Sequence, residues 1–211
     1  MTSRWFITLE GVEGSGKTTQ AAILADALRR QGRRVTVTHE PGGTRAGEAI
    51  RAIFLDPAVA LEPAAELMLV LADRAQHVRE KLAPTLAAGE IVISDRYSDS
   101  TIAYQGCGRG FDFALLKELN NLASDGMRPD FTLVLDCPVE TGLERTRARA
   151  RGGVRPDRFE GEQVEFHRKV RAGFLAIARE EPSRVSVIDA TCELSLVSAE
   201  ILRQVKARLG R

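Results

Sequence analysis

The stretch from Gly11 to Thr18 carries the clearest chemistry in the sequence. It matches the phosphate-loop pattern G-x-x-x-x-G-K-[ST] and lies between a predicted strand and a predicted helix. Glycines let successive backbone N–H groups turn toward an anion, and the start of a helix adds partial positive charge. Lys17 can bridge the β- and γ-phosphates of a nucleoside triphosphate, and the Thr18 hydroxyl can ligate Mg²⁺. The loop therefore predicts binding of ATP or GTP with Mg²⁺ through Gly11, Val12, Glu13, Gly14, Ser15, Gly16, Lys17, Thr18 and Thr19.

A carboxylate and two arginines follow other predicted strands. Asp95 and Arg96 come directly after the apolar run Ile91–Ser94, and Arg51 lies on the helix that follows the segment Glu40–Thr44. Asp95 can hold Mg²⁺ through its waters, and Arg96 can face a phosphate. An Asp-Arg pair at a strand end can also be a surface ion pair, and Pro-Gly-Gly can be a plain turn. A second basic group near Arg96 favours an acceptor that already carries a phosphate.

A cluster of arginines follows the fourth predicted strand. Its members are Arg145, Arg147, Arg149, Arg151, Arg155 and Arg158. Two glycines, Gly152 and Gly153, and Pro156 break the helix there, so we predict a mobile lid at about residues 147–160. Such a lid would place arginines on a transferring phosphoryl group and exclude water, and Arg151 and Arg158 are its candidate catalytic residues. A solvated basic helix or a nucleic-acid-binding patch is the alternative.

Strand-like and helix-like patterns alternate along the chain. The predicted strands are Trp5–Leu9, Val35–His39, Ile91–Ser94, Phe131–Leu135 and Val185–Ile188. The predicted helices include Thr18–Gln31, Leu61–Ala88, Leu115–Ala123, Val139–Ala150, Gln163–Glu180 and Leu194–Leu209. This order predicts one α/β domain over residues 1–211, with a five-stranded parallel sheet and helices on both faces. Ligands bind such sheets beyond the carboxyl ends of the strands, where the residues above lie.

Composition excludes several classes of protein. The chain has 211 residues, of which 44% are hydrophobic and 28% charged, which is typical of a globular domain. No run approaches the ~20 apolar residues of a membrane helix. A net charge of +1 gives no general attraction to nucleic acid. The cysteines Cys107, Cys137 and Cys192 have no zinc or redox spacing, so we expect free thiols in the cytoplasm. From the charge and the apolar runs we expect no nucleic-acid or membrane partner.

The absence of other motifs narrows the class of phosphate-loop protein. A GTPase should carry N-K-x-D after a later strand, and this sequence lacks it. Motor and helicase ATPases are usually larger and have a hydrophobic run that ends in Asp-Glu, which is also absent. A small-molecule kinase is favoured.

Further segments resemble the thymidylate kinase family, bacterial type, within the phosphate-loop nucleoside monophosphate kinases. They lie in family order over nearly the whole chain: Leu9–Gly11, Glu40–Thr44, Ala72–His77, Asp95–Tyr97, Ala103–Gly106, Arg128–Asp130, Asp157–Glu160 and Asp189–Ala190. The resemblance implies a phosphate-loop NTPase fold with a short lid, ATP and Mg²⁺ as cofactors, dTMP as substrate and a homodimer. The loop carries no arginine at its variable positions, as in the bacterial members of the family.

The resemblance also implies roles for individual residues. Asp95 would lie on the magnesium side with Glu10 near the metal, and Arg96 and Arg51 would bind the phosphate of dTMP. Arg74 would hydrogen-bond the thymine. The remaining substrate contacts would be Thr101 and Gln105 beside the base, Tyr104 against the deoxyribose and Glu13 facing the sugar 3′-hydroxyl.

One position departs from the family pattern. The family usually has an aromatic residue four positions before the base-reading arginine, where it stacks on thymine, and this chain has Val70 there. An apolar wall could still pack against the base, at a loss of ~1 kcal/mol relative to a ring. Phe54 is a candidate contributor.

The sequence thus predicts transfer of the ATP γ-phosphoryl group to dTMP, giving dTDP. Lys17, Asp95, Arg96 and the lid arginines would position the reactants and neutralise charge. A deoxynucleoside kinase is the nearest alternative, but it would usually have a Glu as base where this chain has Asp95. A non-catalytic nucleotide-binding protein of the same fold is the other.

Overall fold

A computed structural model of the chain describes residues 4–153 and 155–210. Five strands form one sheet in the order β2-β3-β1-β4-β5, and each neighbouring pair is parallel. The strands are β1 (Trp5–Glu10), β2 (Val35–His39), β3 (Ile91–Asp95), β4 (Phe131–Asp136) and β5 (Val185–Asp189). The predicted parallel sheet is confirmed, and each predicted strand agrees with the observed one to within a residue at either end. The expected lid includes Val154, which lies outside the described residues.

Helices connect the strands. They are α1 (Lys17–Arg29), α2 (Arg45–Leu55), α3 (Pro63–His77), α4 (Ala83–Ala87), α5 (Ser98–Thr101), α6 (Phe113–Ser124), α7 (Val139–Arg151), α8 (Val164–Glu180) and α9 (Leu194–Leu209). Two π-helical segments, Val78–Leu82 and Ile102–Gly108, and a short 3₁₀ helix, Phe159–Gly161, complete the described elements. No helix in the described part of the chain is long and apolar enough to cross a membrane.

Both faces of the sheet are covered, because alternate strand residues enter different apolar clusters. Ile7 of β1 belongs to the larger cluster together with Leu24 of α1. Its neighbour Phe6 belongs to a second cluster with Leu82 of the first π-helical segment. A parallel sheet buried on both sides has apolar residues at successive positions, which is what made the strands visible in the sequence.

The predicted helix Leu61–Ala88 is a nearly continuous helical stretch with a π-helical segment inside it. Ala83 donates its backbone N–H to the carbonyl of Val78, five residues earlier. Pro84 follows, and a proline has no N–H and clashes with the carbonyl four residues before it. Widening the turn ahead of Pro84 relieves that clash.

The stretch from Ser98 to Gly108 is helical although the sequence analysis did not predict it. Two glycines, Gly106 and Gly108, weaken its helix propensity, so tertiary packing must hold it. It packs closely on α8, where a side chain on Gly173 would lie only 2.7 Å from the sulfur of Cys107.

Candidate active site

A cavity of roughly 490 Å³ lies beyond the carboxyl ends of β1, β2 and β3. Its walls come from the loop after β1 and the start of α1, the strand ends of β2 and β3, helices α2 and α3, the helical stretch Ser98–Gly108, and the end of α7 with the segment that follows it. Parallel α/β sheets bind their ligands in this place.

The loop after β1 has a backbone suited to phosphate. Gly14 and Gly16 have φ of 70° and 94°, in the left-handed region that glycine tolerates best. A side chain on Gly14 would also collide with the carbonyl oxygen of Gly142 in α7, 2.0 Å away. Of the nine nucleotide-binding candidates, the cavity is lined by Glu13, Gly14, Gly16, Lys17, Thr18 and Thr19, and not by Gly11, Val12 or Ser15.

Lys17 is folded back onto this loop. Its Nζ donates hydrogen bonds to the carbonyls of Gly11, at 3.0 Å, and Val12, at 2.8 Å. Burial lowers the pKa of Lys17 to about 8, and the nearby Arg96 adds to that shift. An anion in the loop would favour the charged form of this lysine.

Thr18 and Asp95 meet at the mouth of the loop. The Thr18 hydroxyl donates to Asp95 Oδ2 over 2.5 Å, which joins the start of α1 to the end of β3. A hydroxyl and a carboxylate are oxygen ligands of the kind that bind Mg²⁺ together with substrate phosphates. These two residues therefore fit a magnesium site.

Glu10, the other metal candidate, is placed differently. It is fully buried and does not line the cavity, and its two carboxylate oxygens accept from the Tyr97 backbone N–H at 2.8 Å and the Ser100 hydroxyl at 2.6 Å. Burial, together with the Asp99 carboxylate, raises the pKa of Glu10 to about 8. These contacts tie Glu10 to the turn after β3 rather than to Thr18 and Asp95.

Arg96 joins that turn to the phosphate loop. Its guanidinium donates to Glu13 Oε1 at 3.1 Å and to the Gly11 carbonyl at 3.0 Å, and it lies 4.9 Å from the centre of the Tyr104 ring. Its backbone has a φ of 72°, an uncommon value for a residue with a side chain. Backbone strain of this kind is found where the surrounding contacts fix a functional side chain.

Glu13 accepts hydrogen bonds from two further side chains. The Tyr104 hydroxyl donates to Oε1, and His167 Nδ1 lies 3.1 Å from Oε2. Burial alone would raise the pKa of Glu13, but the hydrogen bond with His167 and the charges of Arg96 and Lys17 lower it to about 2. Glu13 is therefore ionised at neutral pH.

Arg74 is almost completely buried, with 2% of its surface exposed, yet it lines the cavity. It donates from Nε to Glu40 Oε2 at 2.9 Å and from Nη1 to Thr101 Oγ1, also at 2.9 Å, and to Asn120 Oδ1 at 2.5 Å. His77 Nδ1 lies 2.9 Å from the other oxygen of Glu40. This network fixes the guanidinium in one orientation.

The other base-side candidates lie around Arg74. Thr101, Tyr104 and Gln105 are buried and line the same cavity. Arg51 lines it too, and its Nη1 donates to the Pro41 carbonyl at 2.7 Å. All substrate-binding candidates are thus brought to one cavity.

Val70 lines the cavity on the α3 side, and Phe54 of α2 lines it as well. Their residue exposures are 8% and 4%, and the Phe54 ring lies 5.2 Å from that of Phe159. The aromatic surface that α3 lacks at Val70 is thus present on a neighbouring helix.

The arginines at the end of α7 and in the segment after it divide into two sets. Arg149 lines the cavity and its Nη2 is 3.2 Å from Glu160 Oε1, whereas the candidates Arg151 and Arg158 are not lining residues. Arg151 is exposed at the end of α7. The Arg158 guanidinium points to Glu66, 2.9 Å away, and its Nε donates to the Phe54 carbonyl at 3.1 Å.

Comparison with known proteins gives the family. The family model for thymidylate kinase matches residues 9–201 of the chain. The chain belongs to the thymidylate kinase family.

Individual thymidylate kinases are similar over nearly the full length. The protein from Trichlorobacter lovleyi is 51% identical over 208 residues, which cover 97% of this chain and 98% of that protein. The one from Geotalea uraniireducens is 52% identical over 208 residues, with the same coverage. The crystal structure of thymidylate kinase from Ehrlichia chaffeensis superposes with a TM-score of 0.79 at 34% identity and covers 96% of this chain and 99% of that one. The predicted family and its phosphate-loop fold are therefore confirmed.

The thymidylate kinase motifs left several buried polar residues without a role. His167 and Glu66 contact site residues, and Asp73 lines the cavity. Asp73 Oδ1 accepts from the Gly42 backbone N–H at 2.8 Å, while its Oδ2 has no hydrogen-bond partner. Burial and the nearby Glu40 raise the pKa of Asp73 to about 7. A charged residue inside an apolar helical face was the available signal for Glu66, whereas Asp73 lies in the family segment Ala72–His77, which gave it no role.

Proposed function

We propose that the chain transfers the γ-phosphoryl group of ATP to dTMP, giving dTDP, in the cavity beyond β1, β2 and β3. The observation that carries this proposal is that Lys17 and Thr18 of the phosphate loop line the same cavity as Arg74 and Gln105. Family membership names the acceptor, and the chain is an ATP:dTMP phosphotransferase of dTTP biosynthesis. No feature of the site favours the deoxynucleoside kinase or the non-catalytic alternative.

The acceptor needs no strong general base in this proposal. The phosphate of dTMP is already anionic at neutral pH, so catalysis rests on alignment of the two phosphates and on neutralisation of their charge. Lys17 would bind the donor phosphates when it leaves the carbonyls of Gly11 and Val12. Thr18 and Asp95 would hold Mg²⁺, which would supply positive charge at the phosphates.

Arg96 and Arg51 are proposed to bind the acceptor phosphate. Both guanidinium groups reach the cavity, and both have protein carbonyls as partners, which a dianionic phosphate can replace with stronger hydrogen bonds. Glu13 and Tyr104 would face the sugar, and Arg74, Thr101 and Gln105 the base. The proposed contacts thus extend along one cavity, from the phosphates of ATP to the thymine of dTMP.

The end of α7 and the segment after it, at about residues 147–160, are proposed to act as the lid. Arg149 already lines the cavity. Arg151 would reach the transferring phosphoryl group only when the lid moves, and Arg158 would anchor the end of the lid on α2 and α3 through Phe54 and Glu66. Closure would exclude water, which competes with dTMP as an acceptor.

The proposed activity is tested by an assay of ATP-dependent phosphorylation with Mg²⁺ and with dTMP, dUMP, thymidine, dCMP or AMP as acceptor. Preference for dTMP, and its loss in Arg74→Ala, is the expected result. Phosphorylation of thymidine but not dTMP would identify a nucleoside kinase. ATP binding without turnover on any acceptor would identify a non-catalytic nucleotide-binding protein.

We also propose a cytoplasmic homodimer without nucleic-acid or membrane partners. Helices α3 and α6 pack together, and their outer surface exposes Met68, Leu115 and Leu122, the last at 79%. An apolar surface of this kind favours association. The three cysteines are free thiols, which suits a reducing compartment. Sedimentation of the purified chain would measure its oligomeric state.

A further inference from the structure

Glu66 is a buried carboxylate at the start of α3, and the proposed function gives it no role toward the base. Its side chain is 1% exposed. Three side chains from two parts of the chain donate to it: Gln105 at 2.8 Å, Arg109 at 2.9 Å and Arg158 at 2.9 Å. A carboxylate removed from water needs such donors, and here one of them is a candidate base-reading residue.

The contact with Glu66 decides which way the Gln105 amide points. An ionised carboxylate only accepts hydrogen bonds, so the atom of Gln105 that faces it must be the NH₂ group. The carbonyl oxygen of the same amide then points away from Glu66. Because Gln105 lines the cavity, that oxygen is the atom it can offer to a ligand.

Two arginines keep Glu66 in the form that this argument requires. Arg109 contacts both carboxylate oxygens, and Arg158 contacts Oε2. Although burial would raise the pKa of Glu66, hydrogen bonds from Arg109 and Gln105 hold it below its usual value. A protonated Glu66 could donate and would let the amide turn over, so these arginines remove that freedom.

The resulting polarity of the cavity matches one class of base. Arg74 offers donors and Gln105 offers an acceptor, and thymine and uracil present an acceptor carbonyl beside an N–H donor on their pairing edge. Cytosine presents an acceptor nitrogen where thymine has the N–H, so the Gln105 carbonyl would face an acceptor. Sites built for a hydrogen bond reject a base that leaves a buried polar group unpaired.

We propose that Glu66 is a positioning residue that sets the selectivity for thymine over cytosine by fixing the Gln105 carbonyl toward the acceptor base. This inference rests on the proposed function and adds a residue to it. Glu66 touches no substrate and acts through Gln105. Arg109 and Arg158 act one step further away, by keeping the carboxylate charged.

The test compares Glu66→Gln with wild type on dTMP and dCMP. The neutral amide can donate as well as accept, so Gln105 can turn over. We expect the ratio of kcat/KM for dTMP to that for dCMP to fall at least tenfold, mostly through a higher KM for dTMP. The KM for ATP should stay unchanged, which a general loss of structure would not allow.

Glu162→Gln is the matched control. Glu162 also binds Arg109, at 2.5 Å, but it does not contact Gln105. It should leave the dTMP to dCMP ratio unchanged. An equal fall of the ratio in Glu162→Gln, or an unchanged ratio in Glu66→Gln, would overturn the proposal.

Glu66→Asp keeps the test decisive if Glu66→Gln does not fold. It preserves the charge that Arg109 and Arg158 require but withdraws the carboxylate from Gln105 by roughly 1.5 Å. We expect it to lose selectivity too, and a wild-type ratio in a folded Glu66→Asp would overturn the proposal. If the wild-type chain does not phosphorylate dTMP, both the proposed function and the role of Glu66 fail. If the wild-type chain is active but the variants keep its ratio of kcat/KM for dTMP to that for dCMP, only the role of Glu66 is overturned.

Discussion

Arg96 Nη2 lies 3.1 Å from Glu13 Oε1, so the arginine expected to bind the acceptor phosphate is paired with a carboxylate of the loop expected to bind the donor. Both side chains are largely removed from water. The pair connects the end of β3 to the loop after β1, and it places acidic and basic groups of the two substrate regions in direct contact.

The Glu13 carboxylate should make stability depend on pH in acid. Its pKa is lowered to about 2 in the folded chain, below the usual value near 4.5, so its stabilising contribution is complete above pH 4.5 and is lost as pH falls toward 2. The full loss, reached below pH 2, should amount to about 3 kcal/mol in the free energy of unfolding, of which about 2 kcal/mol falls between pH 5 and pH 3. Glu13→Gln should lack this part of the pH dependence when urea unfolding is measured at pH 5 and pH 3.

Glu118→Gln is the control for that experiment, because Glu118 is exposed on α6. It should keep the pH dependence of wild type. A Glu13→Gln variant that also keeps it would show that the contacts with Arg96 and His167 do not stabilise the ionised carboxylate.

Asp73 should have the opposite effect. Its pKa is raised to about 7, so the folded chain holds a proton that the unfolded chain releases near pH 4, and stability falls as pH rises through this interval. Asp73→Asn removes the titration and keeps an oxygen for the Gly42 N–H. Urea unfolding should show Asp73→Asn gaining about 2 kcal/mol relative to wild type between pH 5 and pH 8.5.

Asp125→Asn serves as its control, since Asp125 is exposed and its left-handed backbone, with a φ of 51°, suits asparagine equally well. The difference in the free energy of unfolding between Asp125→Asn and wild type should be the same at pH 5 and at pH 8.5. If Asp73→Asn behaves in the same way, Asp73 is already ionised at pH 5.

Lys17 should take up a proton when ATP binds in mild alkali. Burial lowers its pKa to about 8, so much of it is neutral at pH 8.5, and the phosphates of ATP favour the charged form. Calorimetric titration in two buffers with different ionisation enthalpies measures this uptake. Uptake should vanish in Lys17→Met, and equal uptake in that variant would assign the proton to another group.

The sequence predicted the parts of this molecule that depend on local patterns. Alternation of apolar strands and helices was sufficient for the sheet, and the loop pattern was sufficient to place Lys17 and Thr18 after β1. The family motifs identified Arg74 and Gln105 as candidate site residues, and both line the cavity. Each of these signals lies within a few residues of chain.

Contacts between distant residues were not predictable in the same way. Arg158 and Glu66 are 92 positions apart, and the residues around each of them give no indication that the two side chains are in contact. The sequence analysis therefore favoured Arg158 over Arg149 for the transferring phosphoryl group, although Arg149 is the one that lines the cavity. The helical segment after Tyr97 was missed because its packing on α8, and not its own propensity, forms it.

Phe54 should supply the aromatic surface that α3 lacks at Val70. Both residues line the cavity, and an aromatic ring against a base contributes about 1 kcal/mol beyond an aliphatic side chain. Phe54→Leu should therefore raise the KM for dTMP about fivefold with little change in kcat. Adding Val70→Phe should restore the wild-type KM, because a ring on α3 would again cover the base.

Phe131→Leu is the control for that series, because Phe131 is buried in β4 and does not line the cavity. It should lower the melting temperature without raising the KM for dTMP. The role of Phe54 fails if Phe54→Leu leaves the KM for dTMP unchanged, or if it raises the KM and Val70→Phe does not lower it again.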